Sequence, residues 1–270
     1  MAATAGLLAT SKANAITNTE VQNNKFKGNI NHSVCRWCYN TIPMEAFLQN
    51  LNELGITAMD LTGPDDWPIM KKYGIHASMC WGAGFGIEKG WNDAKLHEEL
   101  IKDYVQMIPK VAEAGYTNLI CFSGNRNGMN EEEGLKNSAK GLKQIMAVAE
   151  KHGVVIQMEL LNSKVDHKDY MCDNVEWGVS LCNEIGSENF KLLYDIYHMQ
   201  IMEGDIIRTI RDYHQYFGHY HTGGNPGRHE INETQELYYP AIMKAIVETG
   251  FKGYVAQEFI PSGEDKIGAV

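Results

Sequence analysis

One period governs this chain. From residue 30 onward, short strand-like runs alternate with longer segments whose apolar residues recur at three- and four-residue spacing, the signature of strand followed by amphipathic helix. Strand candidates fall at 32–37 (HSVCRW), 57–62 (TAMDLT), 76–81 (HASMCW), 118–123 (NLICFS), 154–161 (VVIQMELL), 190–197 (FKLLYDIY), 217–222 (FGHYHT) and 253–260 (GYVAQEFI), which makes eight. Helical patterns lie between them, clearest over 94–114 and 131–151. Gly55, Gly74, Gly115, Gly153, Gly186 and Gly250 each stand just before the next strand, where a helix end wants a left-handed residue. Eight βα units of about 30 residues predict an α/β protein, a (β/α)8 TIM barrel formed as a single domain over 28–270. A doubly wound open sheet is the alternative. Only Pro261 to Val270 follow the eighth strand, so the last helix is expected to be short or missing, or replaced by the N-terminal tail.

The 270 residues, 44% hydrophobic and 21% charged, suit one globular domain of this size, and a net charge of -10 without a basic patch argues against a nucleic-acid or acidic-membrane surface. A small anionic substrate needs only one or two local cations and stays open. No stretch is long and apolar enough to span a bilayer. Residues 2–9 (AATAGLLA) and the A-x-A of Ala13-Asn14-Ala15 resemble the back half of an export signal. A free tail is the other reading, so the compartment is left open between cytoplasm and periplasm. Either way 1–27 is set outside the fold.

The six cysteines, 35, 38, 80, 121, 172 and 182, are expected to be reduced core residues. Cys35-Arg36-Trp37-Cys38 is a CxxC, but it lies in a strand candidate rather than opening a helix, and no second metal-spaced pair accompanies it. Gly82-Ala83-Gly84-Phe85-Gly86 follows a strand yet lacks the spacing and acidic partner of a dinucleotide loop. A loop at the barrel mouth is expected there, with Trp81, Phe85 and Trp91 either shielding the site or packing locally.

In such a barrel chemistry sits at the C-terminal ends of the strands. Those ends carry Glu159, Asp195, His221 and Glu258 on four consecutive strands. Taken singly, a strand Glu is usually a surface or salt-bridged residue and a strand His a hydrogen-bonded core residue. Taken together, three carboxylates converging on one centre would repel unless a cation sat among them. Oxygen-rich ligation with one nitrogen favours Mn²⁺ or Mg²⁺. His219 and His221 face the same way, so that one can ligate and the other support it.

The stretches MELLN (158–162), YDIYHMQ (194–200), PGRHE (226–230) and GYVAQEF (253–259) carry a resemblance, over about residues 30–262, to the hydroxypyruvate isomerase family of the xylose-isomerase-like TIM barrels. The resemblance implies one divalent metal held by Glu159, Asp195, His221 and Glu258, substrate contacts from His198 and Arg228, and Glu159 and Glu258 as the acid/base pair. It implies a small hydroxy-carbonyl substrate, with hydroxypyruvate and tartronate semialdehyde interconverted through an enediolate, and a homo-oligomeric assembly. One position departs: bacterial members have Gln where this chain has His221, as do not the related ketose 3-epimerases, which have His. Sugar isomerisation or 3-epimerisation on the same site is therefore the alternative. Phosphodiester cleavage, the chemistry of endonuclease IV on this barrel, would want more metal ligands and a basic face. A non-catalytic sugar-binding barrel is the remaining reading.

Overall fold

A computed structural model describes residues 28–270; the export-signal candidate in 1–27 lies outside the described residues. Eight strands, β1 (Asn31–Cys35), β2 (Ala58–Asp60), β3 (His76–Ala77), β4 (Asn118–Cys121), β5 (Val155–Glu159), β6 (Phe190–Asp195), β7 (Phe217–Thr222) and β8 (Tyr254–Gln257), pair in parallel in the order β3-β2-β1-β8-β7-β6-β5-β4. The two ends of this sheet meet through Cys80. Its N–H donates to the Asn118 carbonyl at 2.9 Å and its carbonyl accepts from Ile120 at 3.0 Å. The sheet thus curls into the expected barrel rather than an open doubly wound sheet. β3 is only two residues long, because beyond Ala77 the chain keeps just the single bridges of Cys80 to Thr62 and Leu119.

Helices α1 (Met44–Leu54), α2 (Trp67–Lys72), α3 (His97–Glu113), α4 (Glu131–His152), α5 (Val175–Ile185), α6 (Ile196–Met202), α7 (Ile206–Tyr213) and α8 (Tyr239–Glu248) fill the connections. Their limits follow from local chemistry. Asn130 and Asn174 accept the Glu133 and Trp177 amides as N-caps, and three glutamates occupy the first turn of α4, where the helix dipole favours negative charge. Gly55, Gly153 and Gly186 close α1, α4 and α5 with φ of 77°, 65° and 71°. The helix expected over 94–114 begins instead as a 3-10 turn, Ala94–Leu96, because Asp93 caps the Lys95 amide ahead of α3.

Alternate strand residues point outward into one apolar layer under the helices, among them Met59, Met158, Leu192 and Tyr220. The inward positions are polar to an unusual degree. Ser33, Asp60, Ser78, Gln157 and His219 are all buried inside the barrel, with a small apolar plug of Met79, Ile120 and Leu193 beside them. No helix follows β8 among the described residues. The chain end folds back instead, Gln257 Nε2 donating to the Val270 carbonyl at 3.0 Å while Ile267 and Val270 pack on the core.

Candidate active site

The inward positions at the top of β5, β6, β7 and just after β8 bring Glu159, Asp195, His221 and Glu258 together, each with one ligand atom within 4.8 Å of the others. His221 lies at the centre. Its Nδ1 is 2.8 Å from Glu258 Oε2, 3.2 Å from Glu159 Oε1 and 3.9 Å from Asp195 Oδ2. All four side chains are buried. Asp195 is also the N-cap of α6: Oδ1 accepts the His198 amide at 3.1 Å, while Oδ2 is buried and has no hydrogen-bond partner. One oxygen starts a helix and the other faces the cluster.

The electrostatics are those of crowded anions. Burial raises the Glu159 and Asp195 carboxyls, and the charge of Glu258 adds to both. Glu258 itself is held well below the usual carboxylate range, since His221 and Arg228 outweigh its burial. Three carboxylates, one of them offering an orphaned buried oxygen, and one imidazole nitrogen form a donor set that fits a hard divalent cation.

Arg228 stands over the cluster. It follows Gly227 in left-handed backbone, with φ of 56°. Its guanidinium lies between the rings of Trp37 and Tyr197, 5.2 Å from each centroid. Nη2 donates to Glu258 Oε2 at 2.6 Å and lies 3.7 Å from Asp195 Oδ2. His198 is fully buried on α6, its Nε2 unpartnered and 3.6 Å from Asp195 Oδ2. Burial, with Arg228 nearby, keeps its imidazole well below the ordinary histidine range and so neutral. Above these groups opens a cavity of about 860 Å³, lined by Trp37, Trp81, Phe122 and His167 as well as Glu159, Arg228 and Glu258.

Several residues emerge only in three dimensions. The strand expected over 32–37 stops at Cys35, and Arg36–Tyr39 forms a 3-10 turn; Cys38 therefore sits in that turn and not in a strand. The turn aims Trp37 into the site, where Nε1 donates to Glu258 Oε1 at 2.7 Å. Nothing in the sequence marks that aim. Asp60 on β2 carried a signal that was readable, a charged residue in an apolar run. Buried behind His221, it lies 2.5 Å from His219 Nε2, accepts Ser78 Oγ at 3.2 Å, and comes within 3.8 Å of His221 Nε2. Although burial would raise it, His219 holds the Asp60 carboxyl well below its ordinary value. His219 reaches Asp60 and not the four-residue cluster. Trp91 does not guard the mouth: it is 1% exposed and packs against Tyr104, whereas Trp81, 53% exposed, lines the cavity. All six cysteines are free and buried, and burial lifts the Cys35 and Cys38 thiols above their ordinary value.

An eight-stranded parallel barrel with an acidic cluster at its C-terminal rim defines a class. Residues 67–268 match the model of the xylose isomerase-like TIM barrel family, and the chain belongs to that family. Among curated relatives, hydroxypyruvate isomerase of Escherichia coli K12 is 27% identical over 190 residues, 70% of this chain and 72% of that protein. The 2-oxo-tetronate isomerase of Cupriavidus necator is 32% identical over 109 residues, 40% of this chain and 41% of that protein. For several curated relatives the match thus spans less than half of their length. Among solved structures, an AP endonuclease of family 2 from Brucella melitensis superposes with a TM-score of 0.77 at 23% identity, covering 87% of this chain and 94% of that one. D-psicose 3-epimerase from Clostridium cellulolyticum H10 superposes at 0.72 with 17% identity, covering 89% and 88%. These likenesses extend the fold beyond the matched sequence. The named curated relatives are isomerases.

Proposed function

We propose that the chain is a divalent-metal-dependent isomerase that interconverts hydroxypyruvate and tartronate semialdehyde through an enediolate. The observation that carries this reading is the convergence of Glu159, Asp195, His221 and Glu258 on one point at the barrel rim. Those four residues would hold the cation, Mn²⁺ or Mg²⁺ by their donor chemistry. When bound, such a cation polarises a carbonyl and its neighbouring hydroxyl, making the intervening C–H more acidic.

The chain's own residues supply the rest. Glu159 and Glu258 enter the site from β5 and from the residue after β8, so that two carboxylates stand beside one reacting centre. One, as a carboxylate, removes a proton from the first carbon; the other, as a carboxylic acid, gives its own proton to the second, while the hydroxyl proton on the first carbon's oxygen passes to the oxygen of the second. Arg228, fixed between two rings, presents the planar fork that grips a carboxylate with two parallel N–H bonds. Trp37 and Arg228 hold Glu258 by its two oxygens and so set its direction.

Two observations favour a second reading, isomerisation or 3-epimerisation of a sugar. The cavity of about 860 Å³ has room for far more than a three-carbon acid, and His221 stands where the epimerase pattern has His. The deciding experiment is proton NMR in D₂O with Mg²⁺, following hydroxypyruvate and a panel of ketoses with and without EDTA. Metal-dependent deuterium uptake into hydroxypyruvate supports the first reading, and uptake into a ketose alone the second. The absence of uptake from every substrate, with metal bound, would sink both. Glu258→Gln is expected to abolish the exchange while leaving the fold intact.

A further inference from the structure

Asn162, at the first turn after β5, is wholly buried and all of its hydrogen-bonding capacity is used. Its Oδ1 accepts two backbone amides, those of Val165 at 3.0 Å and Asp166 at 2.9 Å. Those amides can only donate, so the oxygen of the side chain must face them and the NH₂ must face the other way. Two acceptors stand on that other side, one for each hydrogen. Asp166 Oδ2 lies at 2.7 Å and His198 Nδ1 at 2.6 Å. Asp166 is itself held in place, accepting the Tyr197 hydroxyl at 2.9 Å.

The consequence passes to His198. A ring nitrogen that faces an amide N–H at 2.6 Å must present its lone pair, and in a neutral imidazole the hydrogen then resides on the opposite nitrogen. Nε2 is that nitrogen. It is buried, without a partner, and lies 3.6 Å from Asp195 Oδ2, which is likewise without one. An unpartnered buried donor costs free energy unless a ligand meets it.

We propose that Asn162 is a positioning residue that locks His198 with its hydrogen on Nε2, making His198 a permanent hydrogen-bond donor to a substrate oxygen and barring it from service as a base. This rests on the reading of the site as the reaction centre. The group it serves must be an acceptor throughout the reaction, as a carbonyl oxygen is, and must gain negative charge, as that oxygen does on the way to an enediolate. A fixed donor aimed where charge develops is worth more to the transition state than to the ground state. The protons leaving and reaching carbon then travel through the carboxylates alone.

The test is long-range ¹H–¹⁵N correlation on protein labelled at histidine, with the His198 signals assigned by their loss in His198→Gln. The wild type is expected to carry its hydrogen on Nε2. Asn162→Asp combined with Asp166→Asn exchanges the polarity of the pair, setting a carboxylate oxygen against Nδ1 while keeping a donor beside it. That variant is expected to move the hydrogen to Nδ1, to lower kcat for exchange about a hundredfold, and to leave KM and the Mg²⁺ dissociation constant within about threefold. A wild-type hydrogen on Nδ1 overturns the proposal without reference to any activity, whether or not the variant folds. Unchanged kcat in a variant whose hydrogen has moved overturns it too. A parallel loss of Mg²⁺ affinity would place the Nε2 donor on Asp195 rather than on substrate, and also overturns it. Lack of exchange in the wild type with every substrate, beside an Nε2 hydrogen, would instead strike the proposed reaction and leave the lock standing.

Discussion

Trp37 donates its indole N–H to Glu258 Oε1 at 2.7 Å while Arg228, stacked on the same indole, takes Oε2 at 2.6 Å. The carboxylate is thus gripped at both oxygens by two residues that also hold each other. Trp37→Phe keeps the ring under Arg228 and deletes only the N–H. A hydrogen bond to a charged group contributes about 1.5–3 kcal/mol, so kcat for exchange is expected to fall about tenfold or more, with the circular dichroism spectrum unchanged. A wild-type rate would show that the indole does not orient Glu258.

Metal addition should be visible without any substrate. Three buried carboxylates in mutual repulsion are relieved by a cation, and ligand at about 100 times Kd adds about 2.7 kcal/mol. For a domain of this size that raises Tm by about 5–10 °C. Asp195→Asn removes the orphaned Oδ2 charge and is expected to cut the Mn²⁺-induced rise to about 2 °C or less. Equal melting in Mn²⁺ and in EDTA for the wild type would count against the cluster as a metal site.

Arg228 separates the two substrate readings. Arg228→Ala is expected to raise KM for hydroxypyruvate about tenfold or more, the loss of a charge-assisted pair, and to lower the ratio of kcat/KM for hydroxypyruvate over a neutral ketose. Arg228→Lys should restore little of it, because an ammonium lacks the planar fork. An unchanged ratio in both variants would show that the guanidinium grips no substrate carboxylate.

Behind the cluster, Asp60 and His219 form a fully buried pair. Asp60→Ala leaves the buried His219 Nε2 without its partner and deletes the acceptor of Ser78 Oγ. Leaving a buried hydrogen-bonding group unsatisfied costs about 1–3 kcal/mol, which urea unfolding would register directly. A loss below about 1 kcal/mol would mean that the barrel interior solvates His219 by other means.

Gly141 on α4 faces Trp91 and His97. A methyl group there would meet Trp91 Cε3 at 2.7 Å and His97 Nε2 at 2.8 Å. Helix propensity alone would make Gly141→Ala stabilising by about 1 kcal/mol, but the rings are anchored, His97 Nε2 lying 2.9 Å from the Trp91 carbonyl. Overpacking of about 1–3 kcal/mol is expected to win, lowering the thermal midpoint; a raised midpoint would show that the rings can yield.

The barrel was legible because its period is written in every unit: each strand run and each closing glycine makes the same local statement, and the structure places all eight strands within the expected runs or one residue from them. Glu159, Asp195, His221 and Glu258 could be found together since strand ends in a barrel share one address. Trp37 could not, because its direction depends on where β1 stops and a 3-10 turn begins, a matter of one or two residues. Asn162 was visible only as a letter in MELLN. Its meaning lies in two backbone amides three and four residues on, and in a ring delivered by the helix that follows β6. Trp91 kept two readings in the sequence for a related reason, since aromatic residues near a glycine-rich loop read alike whether they face solvent or α4; the structure bears out local packing.

Asp195 has a divided loyalty. With Oδ1 committed to the opening of α6 and Oδ2 turned to the cluster, the carboxylate cannot be swivelled to suit a different occupant without loosening the joint where β6 becomes a helix. Chemistry and masonry share one keystone at this corner, so any residue substituted at 195 is judged twice, and one that fails to cap α6 also disturbs the path of His198, which the same oxygen holds by its amide.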